Sequence, residues 1–400
     1  MMGHARVDRG MHKKALPVWR RFTGVEAEEI YIQCRPDPRH PGNIAHQTAS
    51  IYDACGSLLR SERASLEHVV HQVVFFRNIR KDLDPFQKAF RDICRKAAGA
   101  NAPLPATTFV EQPPLDTDAD LAMSATAVIP HFKGPQGPDS PASLSVRSFV
   151  LGERKHLYAA GIHGAPGNAF DEATRLFLAA EEVLVQHGMS FQDVCRTWIY
   201  LRHMERDYSE FNRGRREFFR SRNVSLLPAS TGIYGSPYPE KANLMLSFYA
   251  VKSPRPIEVS AMNTPTLNEA CVYGADFSRG LRVVDGNKIA LYISGTASVD
   301  EQGCTAHAGD FAAQVDRMLL NVETLLSAQD AAFRNILSAI TYLKSADDGP
   351  LLRRIFEDRG LGAMPNIVVH AAVCRPDLLC EMEAVAALPR RVEFNPGSRP

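Results

Sequence analysis

A chain of 400 residues that is 45% apolar is long enough for two to four compact domains, and a formal net charge of only +1 gives no electrostatic pull toward nucleic acid. No apolar run reaches the roughly 18–20 residues of a membrane span, and the basic stretch Met1–Arg21, with Lys13, Lys14, Arg20 and Arg21, lacks the apolar core of a secretory signal. The eight cysteines form no C-x-x-C pair and no Cys/His cluster, and no P-loop or G-x-G-x-x-G follows a strand, so the chain reads as cytoplasmic, with reduced thiols, no metal and no nucleotide cofactor.

In chain order, residues 1–27 read as a flexible leader. A single strand over Glu29–Gln33 follows, then an amphipathic helix over Ala45–Leu59. The phrase Ser65-Leu66-Glu67-His68-Val69-Val70 leads into an alternating strand, His71-Gln72-Val73-Val74-Phe75-Phe76. A second helix over Pro85–Ala97, a lead-in Leu104-Pro105-Ala106-Thr107 and a strand ending in Ala127-Val128 close the unit. The Pro- and Gly-rich stretch Phe132–Ser143 is a linker.

The same pattern then returns twice. A hairpin strand Leu157-Tyr158-Ala159-Ala160-Gly161-Ile162 matches Leu291-Tyr292-Ile293-Ser294-Gly295-Thr296. Helices over Ala169–Gln186 and Phe311–Ser327 follow, then strands ending Thr197-Trp198-Ile199-Tyr200-Leu201 and Ala339-Ile340-Thr341-Tyr342-Leu343. Second helices cover Tyr208–Phe219 and Gly349–Glu357. Pro228 and Pro365 recur at domain-sized intervals after Pro105, and closing strands end in Ala250-Val251 and Ala384-Val385. The units are 28–131, truncated by its missing hairpin strand, 143–252 and 268–388. Each is α+β, a mixed sheet with two helices on one face. The other faces are buried when three such sheets pack as an intramolecular pseudo-trimer, with clefts between neighbours.

The last closing strand, in V-C-R-P-D-L-L-C-E-M-E-A-V-A (residues 373–386), carries Glu381 and Glu383 on one side of an alternating run. The ordinary reading is a solvated pair on an edge strand. Aligning the three closing strands on their Ala-Val pairs sets Glu381 opposite Ser124 and Ser247, and Glu383 opposite Thr126 and Tyr249. An acid required by the fold would not be missing from two of three copies, so Glu381 is the candidate functional group. Apolar surroundings raise a carboxyl pKa and keep it protonated, as a general acid requires.

The phrases carried by Asp310, Gln314, Asn321, Phe333, Ile336, Tyr342, Leu343, Pro365, Glu381 and Ala384 resemble the YjgF/RidA superfamily, which implies RidA-like (chorismate-mutase-like) domains with sites at their interfaces. The enamine and imine hydrolases of that superfamily grip substrate with an Arg two residues after the lead-in Pro. Thr107, Ser230 and Ile367 stand there in this chain. Leu227-Pro228-Ala229-Ser230-Thr231-Gly232-Ile233, Ile293–Ser298 and Val373-Cys374-Arg375-Pro376 resemble instead the chorismatase branch, which fuses these domains and cleaves the enolpyruvyl ether of chorismate.

On that resemblance Glu381 donates a proton to the methylene carbon of the ether. Gly295 paired with Cys374 marks the type releasing 3-hydroxybenzoate, with Gly295 leaving room for the substrate and Cys374 a nucleophile or proton relay. A dicarboxylate needs cations, for which Arg354 and then Arg196 are chosen. Thr231 and Tyr234 are chosen as hydrogen-bond donors from the neighbouring domain. The expected partner is a small carboxylate, chorismate foremost, with no cofactor, no nucleic acid and no membrane, in a monomer or weak dimer. The alternatives are an enzyme acting on another unsaturated carboxylate, enamine or imine, and a non-catalytic RidA-like ligand-binding protein.

Overall fold

A computed structural model describes residues 17–99, 102–116, 118–132, 145–270 and 274–390. The first repeat comprises β1 (Pro17–Thr23), β2 (Ala27–Cys34), α1 (Ile44–Ser61), β3 (Val69–Phe76), α2 (Ile79–Ala98), β4 (Ala106–Glu111) and β5 (Leu121–Pro130). The second comprises β6 (Val146–Leu151), β7 (Arg154–Ile162), α3 (Ala169–Gln186), β8 (Val194–Leu201), α4 (Met204–Ser221), β9 (Ala229–Tyr234), β10 (Ser236–Pro237) and β11 (Leu244–Lys252). The third comprises β12 (Val259–Ala261), β13 (Gly280–Asp285), β14 (Lys288–Ala297), α5 (Phe311–Ser327), β15 (Ile336–Leu343), α6 (Gly349–Asp358), β16 (Asn366–His370) and β17 (Cys380–Pro389).

The repeats build three mixed sheets, in the orders β1-β2-β5-β3-β4-β10, β6-β7-β11-β8-β9 and β12-β13-β14-β17-β15-β16, with β10 of the second repeat added at the edge of the first sheet. Only the β3–β4, β8–β9 and β15–β16 pairs are parallel. The helices start where short polar side chains satisfy free N–H groups. Asn43, Asn78, Asn168 and Asp310 accept from the third backbone N–H of α1, α2, α3 and α5. On α5, Val315, Met318, Leu319, Val322 and Leu325 form the buried stripe that lies on its sheet.

The helix-free faces meet in the middle of the molecule. His71 stacks on Tyr158 and Trp198, and Tyr249 approaches Tyr292, with ring centroids 4.9, 5.2 and 5.7 Å apart, so aromatic rings from all three repeats touch. Backbone pairing closes a ring of repeats: Ser236 of the second pairs with Glu111 of the first, Ala229 bridges Ser278 of the third, and Pro114 bridges Val369. Among the described residues no helix is long and apolar enough to cross a membrane.

Three expectations change. The first repeat is not truncated, because β1 pairs antiparallel with β2 from Pro17↔Cys34 to Thr23↔Glu28. Residues 17–23 therefore belong to the sheet and not to a leader; Lys13, Lys14 and the rest of 1–16 lie outside the described residues, as does most of the linker Phe132–Ser143. Helix α2 begins at Ile79, not at Pro85, because the Asn78 cap precedes it and Ile79, Leu83, Phe86 and Phe90 bury one face.

The closing strands align differently too. Tyr342 pairs with Glu381, Tyr200 with Met245 and Phe75 with Ala122, so the true counterparts of Glu381 are Met245 and Ala122. Glu383 matches Ser247 and Ser124 in the same registers. The Ala-Val alignment was two residues out of step. A slip of two keeps every side chain on its own face, and the third strand remains the only one of the three with an acid at either position.

Candidate active site

The site is built from the start of β17 upward. Gln314, one turn into α5, accepts from the Leu379 N–H through its side-chain oxygen (2.8 Å) and donates to the Asp377 carbonyl (2.8 Å). Gln47 and Glu172 hold the corresponding segments before β5 and β11, so this clamp belongs to the fold. In the third repeat it fixes the backbone two residues before Glu381. Strand β17 is not an edge strand: Ala297 of β14 flanks Glu381 on one side and Tyr342 of β15 on the other.

Next to Glu381 the neighbouring strand bulges. The β14–β17 register jumps between Ile293 and Thr296, inserting one extra residue around Ser294-Gly295. The bulge is fastened to the second repeat. Gly295 N–H donates to Thr231 Oγ1 (3.0 Å), and Ser294 Oγ accepts from the Ser230 N–H (2.8 Å). A Cβ on Gly295 would lie 2.0 Å from Glu381 Oε1. The glycine thus makes room for the carboxyl group itself.

Glu381 is buried, and that burial, reinforced by the negative charge of Glu383, pushes its pKa up to about 8 against the pull of Arg196 and Arg279. Glu383 has a different fate. It accepts hydrogen bonds from Arg196 Nη2 and Trp198 Nε1, each at 2.9 Å, and so forms a buried ion pair between repeats three and two. Two carboxyl groups on one strand face thus have different surroundings: Glu383 is paired with Arg196 and Trp198, and Glu381 faces the cleft.

The Glu381 cleft lies between the second and third repeats. Tyr208 and Arg215 of α4 with Ser230 and Gly232 of β9 form one wall; Phe277, Arg279, Gly295, Cys374, Arg375 and Leu378 form the other. Its cavity is narrow, about 30 Å³, room for water but not for a ring acid. Arg215 is buried, reaches Ser230 Oγ (3.5 Å) and Asn212 Oδ1 (2.6 Å), and sits against Phe277. Arg279 is held by the Asn268 carbonyl (2.8 Å), and Arg375 by the Gly303 carbonyl (2.7 Å). Burial and the nearby Glu381 push the Cys374 thiol up to about 12, with Arg375 and Tyr208 opposing, so it carries its proton at neutral pH.

Over 249 residues the chain is 30% identical to a 3-hydroxybenzoate synthase of Streptomyces hygroscopicus, covering 55% of this chain and 71% of that protein. The chain belongs to the chorismatase branch of the YjgF/RidA superfamily. The endoribonuclease L-PSP family matches residues 274–388, the third repeat. A 3-aminoacrylate deaminase RutC of Acinetobacter baylyi is 26% identical over 97 residues, 24% of this chain and 77% of that one. The crystal structure of a chorismatase superposes with a TM-score of 0.59 at 16% identity, over 80% of this chain and 93% of the other, which shows a shared fold.

Within this chorismatase-family fold, Glu381, Cys374 and Gly295 come together in one cleft. The remaining four expected site residues do not line it. Arg354 is exposed on α6, because Leu352 and Phe356 take the inward face and a residue two after Leu352 points away. Arg196 is buried behind the cleft, spent on Glu383 and Thr231. Thr231 accepts from both Arg196 and Gly295, so its hydroxyl oxygen braces the bulge. Tyr234 joins repeats through its backbone, its N–H donating to the Ala372 carbonyl (3.1 Å).

The three arginines of the cleft were missed. Arg215 had a signal, since it shares a helical stripe with Phe211, Phe218 and Phe219, where a charge is out of place. Arg375 stood in the quoted phrase, but the cations were sought elsewhere, at Arg354 and Arg196. Nothing local marks Arg279. Among the described residues no group of three or more His, Cys, Asp or Glu is placed to hold a metal ion.

Proposed function

We propose that this protein is a chorismatase that splits chorismate into pyruvate and a hydroxybenzoate, with 3-hydroxybenzoate the product. The observation that carries the reading is a buried carboxyl group with a pKa of about 8, set in a cleft lined by Arg215, Arg279 and Arg375. A protonated Glu381 delivers its proton to the terminal methylene of the enolpyruvyl ether, leaving an oxocarbenium-like centre on the adjacent ether carbon. Water adds to that carbon and returns a proton to Glu381, the hemiketal collapses to pyruvate as its bond to the ring oxygen breaks and that oxygen takes up a proton, and the ring then loses one water as it aromatises. The arginines supply planar, always charged partners for the two substrate carboxylates. Arg215 reaches Ser230, the position where the imine hydrolases of the superfamily carry their own Arg, so a guanidinium arrives near that point from α4 instead of β9.

The two products together contain every atom of chorismate, so this route consumes no net water, whereas hydrolysis to a dihydroxylated ring acid takes up one. Cys374 enters as a thiol. Its raised pKa favours a proton relay during aromatisation over a standing thiolate nucleophile. The test is incubation with chorismate, with pyruvate followed by a coupled lactate dehydrogenase assay and the ring acid by chromatography. Equal amounts of pyruvate and 3-hydroxybenzoate are expected. Absence of pyruvate, or undiminished release by Glu381→Gln, overturns the proposal.

A further inference from the structure

The cleft between the first and second repeats occupies the same place in the ring as the Glu381 cleft, and it is open. Met245 stands where Glu381 stands, each opposite the Tyr of its neighbouring strand. Gly161 stands at the β7 bulge as Gly295 does at that of β14. The Ser145 carbonyl accepts from Ala160 N–H (2.7 Å) as the Arg279 carbonyl accepts from Ser294 N–H (3.1 Å). The cavity here is about 820 Å³, within the range of small-molecule sites, and nothing lies within 4 Å of where a Gly161 Cβ would stand.

The lining has a definite chemistry. Among the described residues no carboxylate lines it. Arg91 and Arg95 stand at its rim on α2, both exposed; the Arg95–Asp92 pair is a solvent-facing contact of little strength. Leu104 and Phe109 supply apolar surface, Met245 lines the cleft as a nearly buried side chain, and His163 carries a buried Nδ1 without a hydrogen-bond partner.

We propose that this cleft binds a small ring-bearing carboxylate without turning it over. The carboxylate meets Arg91 and Arg95, the ring lies on Leu104 and Phe109 beside Met245, and a polar substituent reaches the His163 ring. With Met245 in the place of Glu381, no carboxylic acid among the described lining residues can donate a proton, so the site serves occupancy and not the reaction of the other cleft. The proposal stands on this cavity alone and does not require the enol ether chemistry of the other cleft.

The test uses the full chain with methionine methyl groups labelled with carbon-13, the Met245 signal assigned through Met245→Leu, and 3-hydroxybenzoate as the probe. The Met245 signal shifts saturably. The paired exposed reversals Arg91→Glu and Arg95→Glu weaken that response at least about tenfold, as does replacing the probe with phenol, which lacks the carboxylate. Glu381→Gln leaves the response unchanged, which separates this site from the catalytic one. A Met245 signal that does not move at millimolar probe, or moves with equal affinity in the reversal variant, overturns the proposal.

Discussion

The two clefts flanking the second repeat share strand order, bulge position and inter-repeat geometry, yet hold opposite contents. One is closed to about 30 Å³ around an acid, the other stands open at about 820 Å³ around a methionine. The difference shows that the fold supplies a place and not a reaction. Closure itself does chemical work, since exclusion of water is the leading cause of the raised Glu381 pKa.

The sharpest way to break this comparison is to neutralise the acid. Glu381→Gln is expected to lower kcat about 10²–10⁴-fold, the range of general acid catalysis. In the wild type, kcat/KM falls as pH rises through about 8, where the free enzyme loses the Glu381 proton. Stability follows the same group. Because its folded pKa lies above the unfolded value, the native state holds the proton that the unfolded chain releases, and stability declines with rising pH between about 4.5 and about 8. Glu381→Gln abolishes that decline, a relative gain on the order of 4 kcal/mol at most, read by urea unfolding at pH 5 and pH 8.

The partner acid gives the complementary result. Arg196→Ala strands Glu383 as a buried unpaired charge and is expected to cost about 3–5 kcal/mol in chemical denaturation. The two glycines come next. Gly295→Ala displaces the Glu381 carboxyl and lowers kcat on the order of tenfold to a hundredfold. Gly161→Ala, at φ +67 with open space beside it, costs about 1 kcal/mol of stability through backbone strain and leaves kcat within about twofold. The smallest effect is at the thiol. Iodoacetamide at pH 8 labels exposed Cys304 well before Cys374, read by peptide mass spectrometry, because the Cys374 thiol stays protonated up to about 12.

Much of the fold was legible because its signals are local. Asn168 and Asp310 cap helices whose ends match the periodicity residue for residue. Strand β1 was not legible, since Arg20 and Arg21 made Val18–Phe22 look like a basic tail. Yet Arg20 donates to the Ile336 carbonyl (2.9 Å) in the third repeat, a partner more than three hundred residues away that no local pattern announces. The site divides in the same way. Glu381 stood out because three copies of one pattern can be compared, whereas Gly295 and Cys374 stood out only through the chorismatase resemblance. The arginine clamp did not, because Arg215 and Arg279 acquire meaning only when α4 of one repeat faces the β13 start of the next. Arg354 was a choice that helical geometry alone, with Leu352 and Phe356 inward, argues against.

The ring of repeats closes within one polypeptide, with the second and third joined through residues 253–279. In an assembly of separate subunits the two walls of such a cleft drift apart on dilution. Here the tether holds them at an effective concentration on the order of millimolar, whatever the amount of protein. Activity per molecule should therefore be the same at nanomolar and micromolar enzyme, and each of the three clefts can change its residues without forcing the same change on the other two.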